Sequence, residues 1–171
     1  MKLLDHEYSF NIELSDNLNG TVHIDFNEMK IVARLDEGGG GSVYRGTWFQ
    51  QPVAIKRLNI TDEESFIREV QFLNKLRHPN VLNLFGYSID SRGDKYIVTE
   101  LIPQGSLDKA LYSGKLDLFD LKLKALHDIA LGISYLHSRN PMIVHRDIKP
   151  QNILIDASGV CKIFNFGSLE N

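Results

Sequence analysis

The change of period near residue 61 constrains the fold of this chain more than any other feature. Before it stand three short runs, MKIVARL, GSVYRGTWF and PVAIKRL, between residues 29 and 58. Each is rich in Val, Ile and aromatics and is parted from the next by turn residues, which predicts an antiparallel meander. After it, TDEESFIREVQFLNKLRHPN places Phe66, Val70, Leu73 and Leu76 at helical spacing. Thr61 and Glu64 fit a capping box, Asp62 and Glu63 stand in the first turn, and Pro79 helps close the segment. Two further strand-like runs follow, NVLNLFGYS and KYIVTELI, with DSRGD as a polar turn between them. PQGSLDKALYS then starts a short helix with Ser106 as its cap. DLFDLKLKALHDIALGISYLHS predicts a long helix at 117–138, with Leu118, Leu121, Ala125, Ile129, Ile133 and Leu136 as its buried stripe. IVHRDIKPQNILID, a turn at ASG and VCKIFNFG complete the order. Strands, one helix, strands and then mostly helix give an α+β fold, a small sheet-rich half with the beginning of a helical half.

The length of 171 residues suggests one domain with a short extension. Residues 1–28 are polar and carry a turn signal at Asn19-Gly20. They are either the end of a preceding module or an added strand pair. With 19 basic and 22 acidic residues the net charge is −3, which gives no electrostatic reason to expect nucleic acid or an anionic membrane as partner. The single Cys161 cannot form an internal disulfide, MKLLDHEYSF is too short an apolar start for a signal peptide, and no apolar run is long enough to span a bilayer. A cytoplasmic location is the resulting expectation.

Four glycines in DEGGGGSVYRG, Gly38 to Gly41, could be a linker or a loop that lays its backbone over a phosphate. Backbone N–H groups at such a turn can donate to phosphate oxygens. A dinucleotide fold would open a helix directly after the glycines. Here the β-branched and aromatic SVYRGTWF follows, so strand, loop and strand is the better reading. In VAIK, residues 53–56, Ala54 and Lys56 share one face and Val53 and Ile55 the other. Glu69 falls inside the apolar stripe of the first helix. Either it turns inward and needs a partner, or it lies at the stripe's edge and reaches water.

The order of these signals, with HRDIKPQN at 145–152, resembles a protein kinase catalytic domain over residues 29–168. Lys149-Pro150 is similar to Ser/Thr-type loops, and HPNVLNLFGY and GSLDKAL look like the tyrosine-kinase-like group of Ser/Thr kinases. The resemblance implies a kinase-like fold. An antiparallel-sheet N-lobe with one helix, and a hinge, would occupy 29–102; a partial helical C-lobe would occupy 103–171; and 1–28 would be an extension. It also implies ATP and Mg²⁺ as cofactors and a protein substrate or interaction partner. Gly38, Gly39, Gly40 and Gly41 would cover the phosphates, and Lys56 would hold them while pairing with Glu69. Val43 and Ala54 would lie above the adenine and Leu154 below it. Glu100 and Ile102 belong to the hinge, and Thr99 guards the back pocket. Ordinary core packing would suit these adenine and hinge positions equally well. Asp147 would orient the substrate hydroxyl or accept its proton, Lys149 would steady the transferred phosphoryl, and Asn152 and Asn165 would be the metal ligands. His145 has a structural place under Phe166.

Three departures from the family pattern bear on function. FNFG at 164–167 has Asn165 where the family has the main metal-binding Asp, so neither expected ligand carries charge. One charge lost at about 4 Å is worth about 4 kcal/mol in an effective dielectric of about 20. If that much is lost in the transition state, the rate falls roughly a thousandfold. Asp36 replaces the first glycine of the phosphate loop, and Gly40 its usual tip aromatic. The sequence stops at GSLEN, before the activation segment and the helices that carry the peptide platform, which leads to the expectation of an uncovered stripe on the long helix and of self-association through it. Three readings follow: a Ser/Thr kinase, a pseudokinase that binds nucleotide or a protein partner, and a remnant without function of its own.

Overall fold

A computed structural model describes residues 17, 18, 20–38, 41–60, 62–114 and 119–166 of the chain. Gly39, Gly40, Thr61, Leu118 and Gly167, together with residues 1–16 and Asn19, lie outside the described residues. The chain divides into two compact units, Met1–Lys75 with Leu84–Thr99, and Leu76–Asn83 with Glu100–Asn171.

The first unit is built on the meander. Strands β1 (Met29–Gly38), β2 (Gly41–Trp48), β3 (Gln51–Leu58), β4 (Leu84–Ile89) and β5 (Lys95–Glu100) form one sheet in the order β1-β2-β3-β5-β4. The registers of β1 with β2, β2 with β3, and β4 with β5 are antiparallel. Period-2 alternation decides what each face buries. Val53 and Ile55 are fully buried with Ile24, Met29, Tyr96 and Val98 on one side of the sheet. Ile97 has the opposite parity on β5 and packs with Leu58, Leu84, Tyr87 and the helical residues Phe66 and Val70. Ala54 and Lys56, with opposite parity to Val53 and Ile55, therefore stand on the face that carries helix α1 (Glu63–Asn74).

Asp62 caps α1, its Oδ1 accepting the Ser65 backbone N–H at 2.7 Å. The sequence places Asp62 in the first turn. An Asp three residues before a free N–H is as good an acceptor as Thr, and it starts the helix one residue later. The β2–β3 connection is a two-residue turn in which Phe49 and Gln50 both have positive φ, 45° and 66°. This is the twist a tight hairpin requires, made here without Gly or Asn.

The described part of the extension is integral to this unit. Leu18 and Ile24 are buried in the two clusters just named. The Ile24 N–H donates to the Tyr87 carbonyl at 2.8 Å, and the Tyr87 N–H donates to the Val22 carbonyl at 3.0 Å, so residues 22–24 line the edge of β4. Gln71 and Asn74 of α1 donate their side-chain amides to the carbonyls of Asn17 and Gly20. Gly20 has φ 87° and the Thr21 N–H returns to the Leu18 carbonyl at 2.9 Å, the turn expected there.

The second unit holds helices α2 (Leu107–Tyr112) and α3 (Phe119–His137) and the antiparallel pair β6 (Ile153–Ile155) and β7 (Cys161–Ile163). Ser106 precedes α2 at the capping position but makes no side-chain cap bond. The single run NVLNLFGYS expected from sequence is split. Only Leu84 onward joins the sheet, while Asn80 to Asn83 belong to the second unit, where Val81 bridges Ile163. The Ile163 N–H donates to the Asn80 carbonyl and the Leu82 N–H to the Ile163 carbonyl, each at 2.9 Å, so backbone pairing with β7 draws these residues away from the strand.

The face that α3 buries is Ala125, Asp128, Gly132 and Leu136, while Leu121, Ile129 and Ile133 of the expected stripe are half-buried. The burial is centred one step round the helix because β7 sits close above Gly132. A Cβ at Gly132 would come within 2.7 Å of the Ile163 side chain and 2.8 Å of the Asn80 carbonyl oxygen. The exposed leucines of α3 are Leu123, Leu126 and Leu131. Asp128 is tolerated inside because its Oδ2 accepts from the Cys161 N–H at 3.0 Å and from Lys124 Nζ at 2.9 Å. Asn80 Nδ2 donates to the Cys161 carbonyl at 2.9 Å, so side chains satisfy both backbone groups at the start of β7. Among the described residues no helix is long and apolar enough to cross a membrane.

Candidate functional site

The sequence-derived site residues fall into two groups, one in each unit. In the first, β3 presents Lys56 and α1 presents Glu69, with Nζ and Oε1 4.0 Å apart and side chains 30% and 27% exposed. Glu69 therefore turns inward toward a cation. Burial raises its pKa above the usual carboxylate value, and the Lys56 charge opposes that shift without cancelling it. A pair at the outer limit of contact gives less attraction than its partial burial costs.

Val43 lies directly opposite Lys56, and Ala54 is two residues before it, so all three share the α1 face of the sheet. Val43 and Ala54 are half-buried. Gly38 pairs with Gly41 at the end of the β1–β2 ladder. Gly41 has a structural cause of its own: its φ is 127°, and a Cβ there would lie 1.9 Å from the Arg57 carbonyl oxygen. Asp36 is exposed and its Oδ1 accepts the next backbone N–H, that of Glu37, at 2.9 Å. Thr99 is half-buried opposite Leu84.

In the second unit the hinge residues are tied to their neighbours. The Glu100 N–H donates to the Asn83 carbonyl at 3.2 Å. Glu100 Oε1 accepts the Asn83 N–H at 2.9 Å and lies 3.0 Å from Lys162 Nζ. The Ile102 carbonyl accepts from Gly105 N–H at 3.2 Å, and Leu154 bridges Ser106 in a half-buried position.

The loop HRDIKPQN is held by its own polar side chains. His145 is buried. Its Nδ1 accepts the Asp147 N–H at 3.3 Å, so Nε2 donates to the Phe164 carbonyl, 2.9 Å away. Its ring packs on Phe166 at 5.1 Å. Lys149 Nζ is 2.9 Å from Asp147 Oδ2. Asn152, 3% exposed, donates its Nδ2 to both the carbonyl and Oδ2 of Asp147, each at 2.8 Å. Asn152 Oδ1 in turn accepts from Asn165 Nδ2 at 3.0 Å. Asp147, Lys149, Asn152 and Asn165 are thus one connected group. The hydrogen bond from Lys149 and that from Asn152 hold the Asp147 carboxyl below its ordinary pKa. At neutral pH it is a half-exposed, ionised carboxylate in a fixed position, suited to orienting a hydroxyl.

A divalent cation would make different demands on the same group. Mg²⁺ is bound through one or two carboxylates at strict octahedral geometry. Asn165 turns an N–H donor, not an oxygen, toward Asn152, and the Asn152 oxygen already accepts it. The carboxylate of the group, Asp147, is paired with Lys149 and Asn152. No cluster of three or more His, Cys, Asp or Glu among the described residues is arranged to hold a metal. The residues present do not fit Mg²⁺.

Sequence reasoning did not single out Asp128, Asn80 or Lys162. The first two fix β7, which leads directly into Asn165, and the third engages the hinge carboxylate. Their partners are far away in the chain, 33 residues for Asp128 and 81 for Asn80, and no local spacing marks them.

Residues 29–170 match the family model described as protein tyrosine and serine/threonine kinase. Among curated proteins, a probable serine/threonine-protein kinase drkA of Dictyostelium discoideum is 39% identical over 84% of this chain and 23% of its own length. A putative serine/threonine-protein kinase/receptor R826 of Acanthamoeba polyphaga mimivirus is 42% identical over 84% of the chain and 9% of its length. The serine/threonine-protein kinase CTR1 of Arabidopsis thaliana is 37% identical over 82% of the chain and 18% of its length. The chain spans less than a quarter of each of these relatives.

Proposed function

This chain belongs to the protein tyrosine and serine/threonine kinase family, and from that membership we propose that it binds ATP and presents Asp147 to the hydroxyl of a protein substrate. The observation that carries this reading is the fixed, ionised Asp147 beside Lys149 in an intact HRDIKPQN loop. In the family ATP and Mg²⁺ supply the phosphoryl group and its charge neutralisation. What this chain's own residues contribute is more limited. Lys56, oriented by Glu69, binds phosphate oxygens as a point charge. Val43 and Ala54 in the first unit offer apolar surface to a base, and family membership implies the same for Leu154 in the second. Asp147 orients the attacking hydroxyl; with a depressed pKa it is a weak base, which takes the proton late in the transfer. Lys149 both holds Asp147 and neutralises charge next to it. The Lys149-Pro150 sequence and the names of the relatives support a Ser/Thr hydroxyl as the acceptor.

A second reading, a pseudokinase that binds nucleotide with little transfer, is favoured by Asn165. Its neutral amide leaves the loop without the charge that phosphoryl transfer draws on. Both readings require nucleotide binding. Calorimetric titration with ATP should give a measurable heat for the folded chain, and Lys56→Met should weaken binding roughly tenfold, a loss of about 1.4 kcal/mol. No heat and no stability change at saturating ATP would overturn both readings. Unchanged affinity in Lys56→Met would overturn the role given to Lys56.

A further inference from the structure

The hydrogen bonds in the catalytic loop have a direction, and that direction constrains what can stand at residue 165. Asn152 is almost wholly buried and donates both available bonds of its Nδ2 to Asp147, one to the carbonyl and one to Oδ2. Its Oδ1 must therefore face the other way, toward Asn165, which meets it with an N–H. Turning the Asn152 amide over would set an oxygen against two oxygens of Asp147. A carboxylate at 165 would set an oxygen against Asn152 Oδ1. In either case an acceptor faces an acceptor, and a cation between them would relieve it. The amide of Asn165 removes the conflict with one proton. Residue 165 also has φ 57°, a left-handed conformation that Asn and Asp both tolerate, so backbone geometry does not select between the two.

We propose that the Asn165 side-chain amide stands in for a divalent cation in this protein, setting Asn152, and through it Asp147, without metal. Asn165 is a positioning residue, because it acts on Asp147 only through Asn152. The proposal rests on the kinase reading only in naming the ion that is replaced. Its test uses no nucleotide, so failure of ATP binding and failure of this idea are separate results.

The test compares thermal melts of the wild-type chain and Asn165→Asp in EDTA and in millimolar MgCl₂. The wild type should melt at the same temperature in both. Asn165→Asp, nearly identical in shape, should melt a few degrees lower in EDTA, the shift expected for one lost hydrogen bond and a new repulsive contact. Mg²⁺ should restore most of that loss. A merely structural role for Asn165 would lower the melting point without any rescue by Mg²⁺. Equal melting of the two proteins in EDTA, or a wild type that gains as much from Mg²⁺ as the variant, would overturn the proposal. If the variant does not fold, the wild type decides alone. The ¹⁵N-labelled side-chain amide of Asn165 should show slowed hydrogen exchange and no change on adding MgCl₂. A saturable shift with Mg²⁺ would show that the ion binds there after all.

Discussion

Lys56 and Glu69 show how a motif residue and its partner differ in how much local sequence discloses. The VAIK alternation places Lys56 on one face of β3, opposite to Val53 and Ile55, and both core residues are fully buried. Glu69 has no such rule, because a carboxylate inside an apolar stripe is compatible with either an inward or an edge position. Its neighbour across the sheet face settles the matter, at 4.0 Å. The cost of that position gives a pH signature. Burial raises the folded-state pKa of Glu69 above 4.5, so the folded chain binds this proton more tightly than the unfolded chain. The contribution of the group to stability is greatest below the unfolded value and falls as pH rises through the folded one. Glu69→Gln should therefore be at least as stable as wild type in urea melts at neutral pH, with the difference shrinking as pH falls below the ordinary carboxylate range. A variant that loses stability at neutral pH, and regains parity only in acid, would show that the Lys56 attraction outweighs burial.

At the scale of elements, what could be read from the sequence was the type and order of each segment, and what could not was where long-range pairing takes over. The three runs before residue 61 give β1 to β3 because alternation and turn residues act within a few residues of one another. The run NVLNLFGYS carries the same composition throughout, yet its first residues pair with β7, which lies far along the chain. Helix α3 is legible as a helix, but its buried face is set by Gly132 beneath β7 and by Asp128 holding the Cys161 amide. Apolar spacing alone cannot place a glycine and an aspartate at the centre of a contact. Gly132→Ala checks this. In an exposed helix interior the change stabilises by about 1 kcal/mol. Here the added methyl meets a backbone oxygen at 2.8 Å, so the structure predicts a net loss of about 1–3 kcal/mol in denaturant melts, as overpacking commonly costs. A gain in stability would mean that α3 and β7 are not in close contact.

For the whole molecule, the family follows from motifs that are contiguous in sequence, and the departures at 36, 40 and 165 are as visible there as the matches. The network from Asn165 through Asn152 to Asp147 is not visible there, since sequence shows a missing charge but not the amide bond made in its place. The sequence leaves the extension as either the end of a preceding module or an added strand pair; Leu18 and Ile24 are part of the core of the first unit, because a few apolar residues spaced along a polar stretch are enough to cover the edge of β4 and the end of α1. The proposed ATP binding and the proposed setting of the catalytic loop by an amide instead of a metal meet in one quantity. The most direct measurement is the affinity for ATP of the wild type and of Asn165→Asp, each titrated with and without Mg²⁺. Mg²⁺ should change wild-type affinity less than about threefold and tighten the variant by about tenfold or more, a difference of at least about 0.7 kcal/mol. Equal enhancement by Mg²⁺ in the two proteins would contradict it.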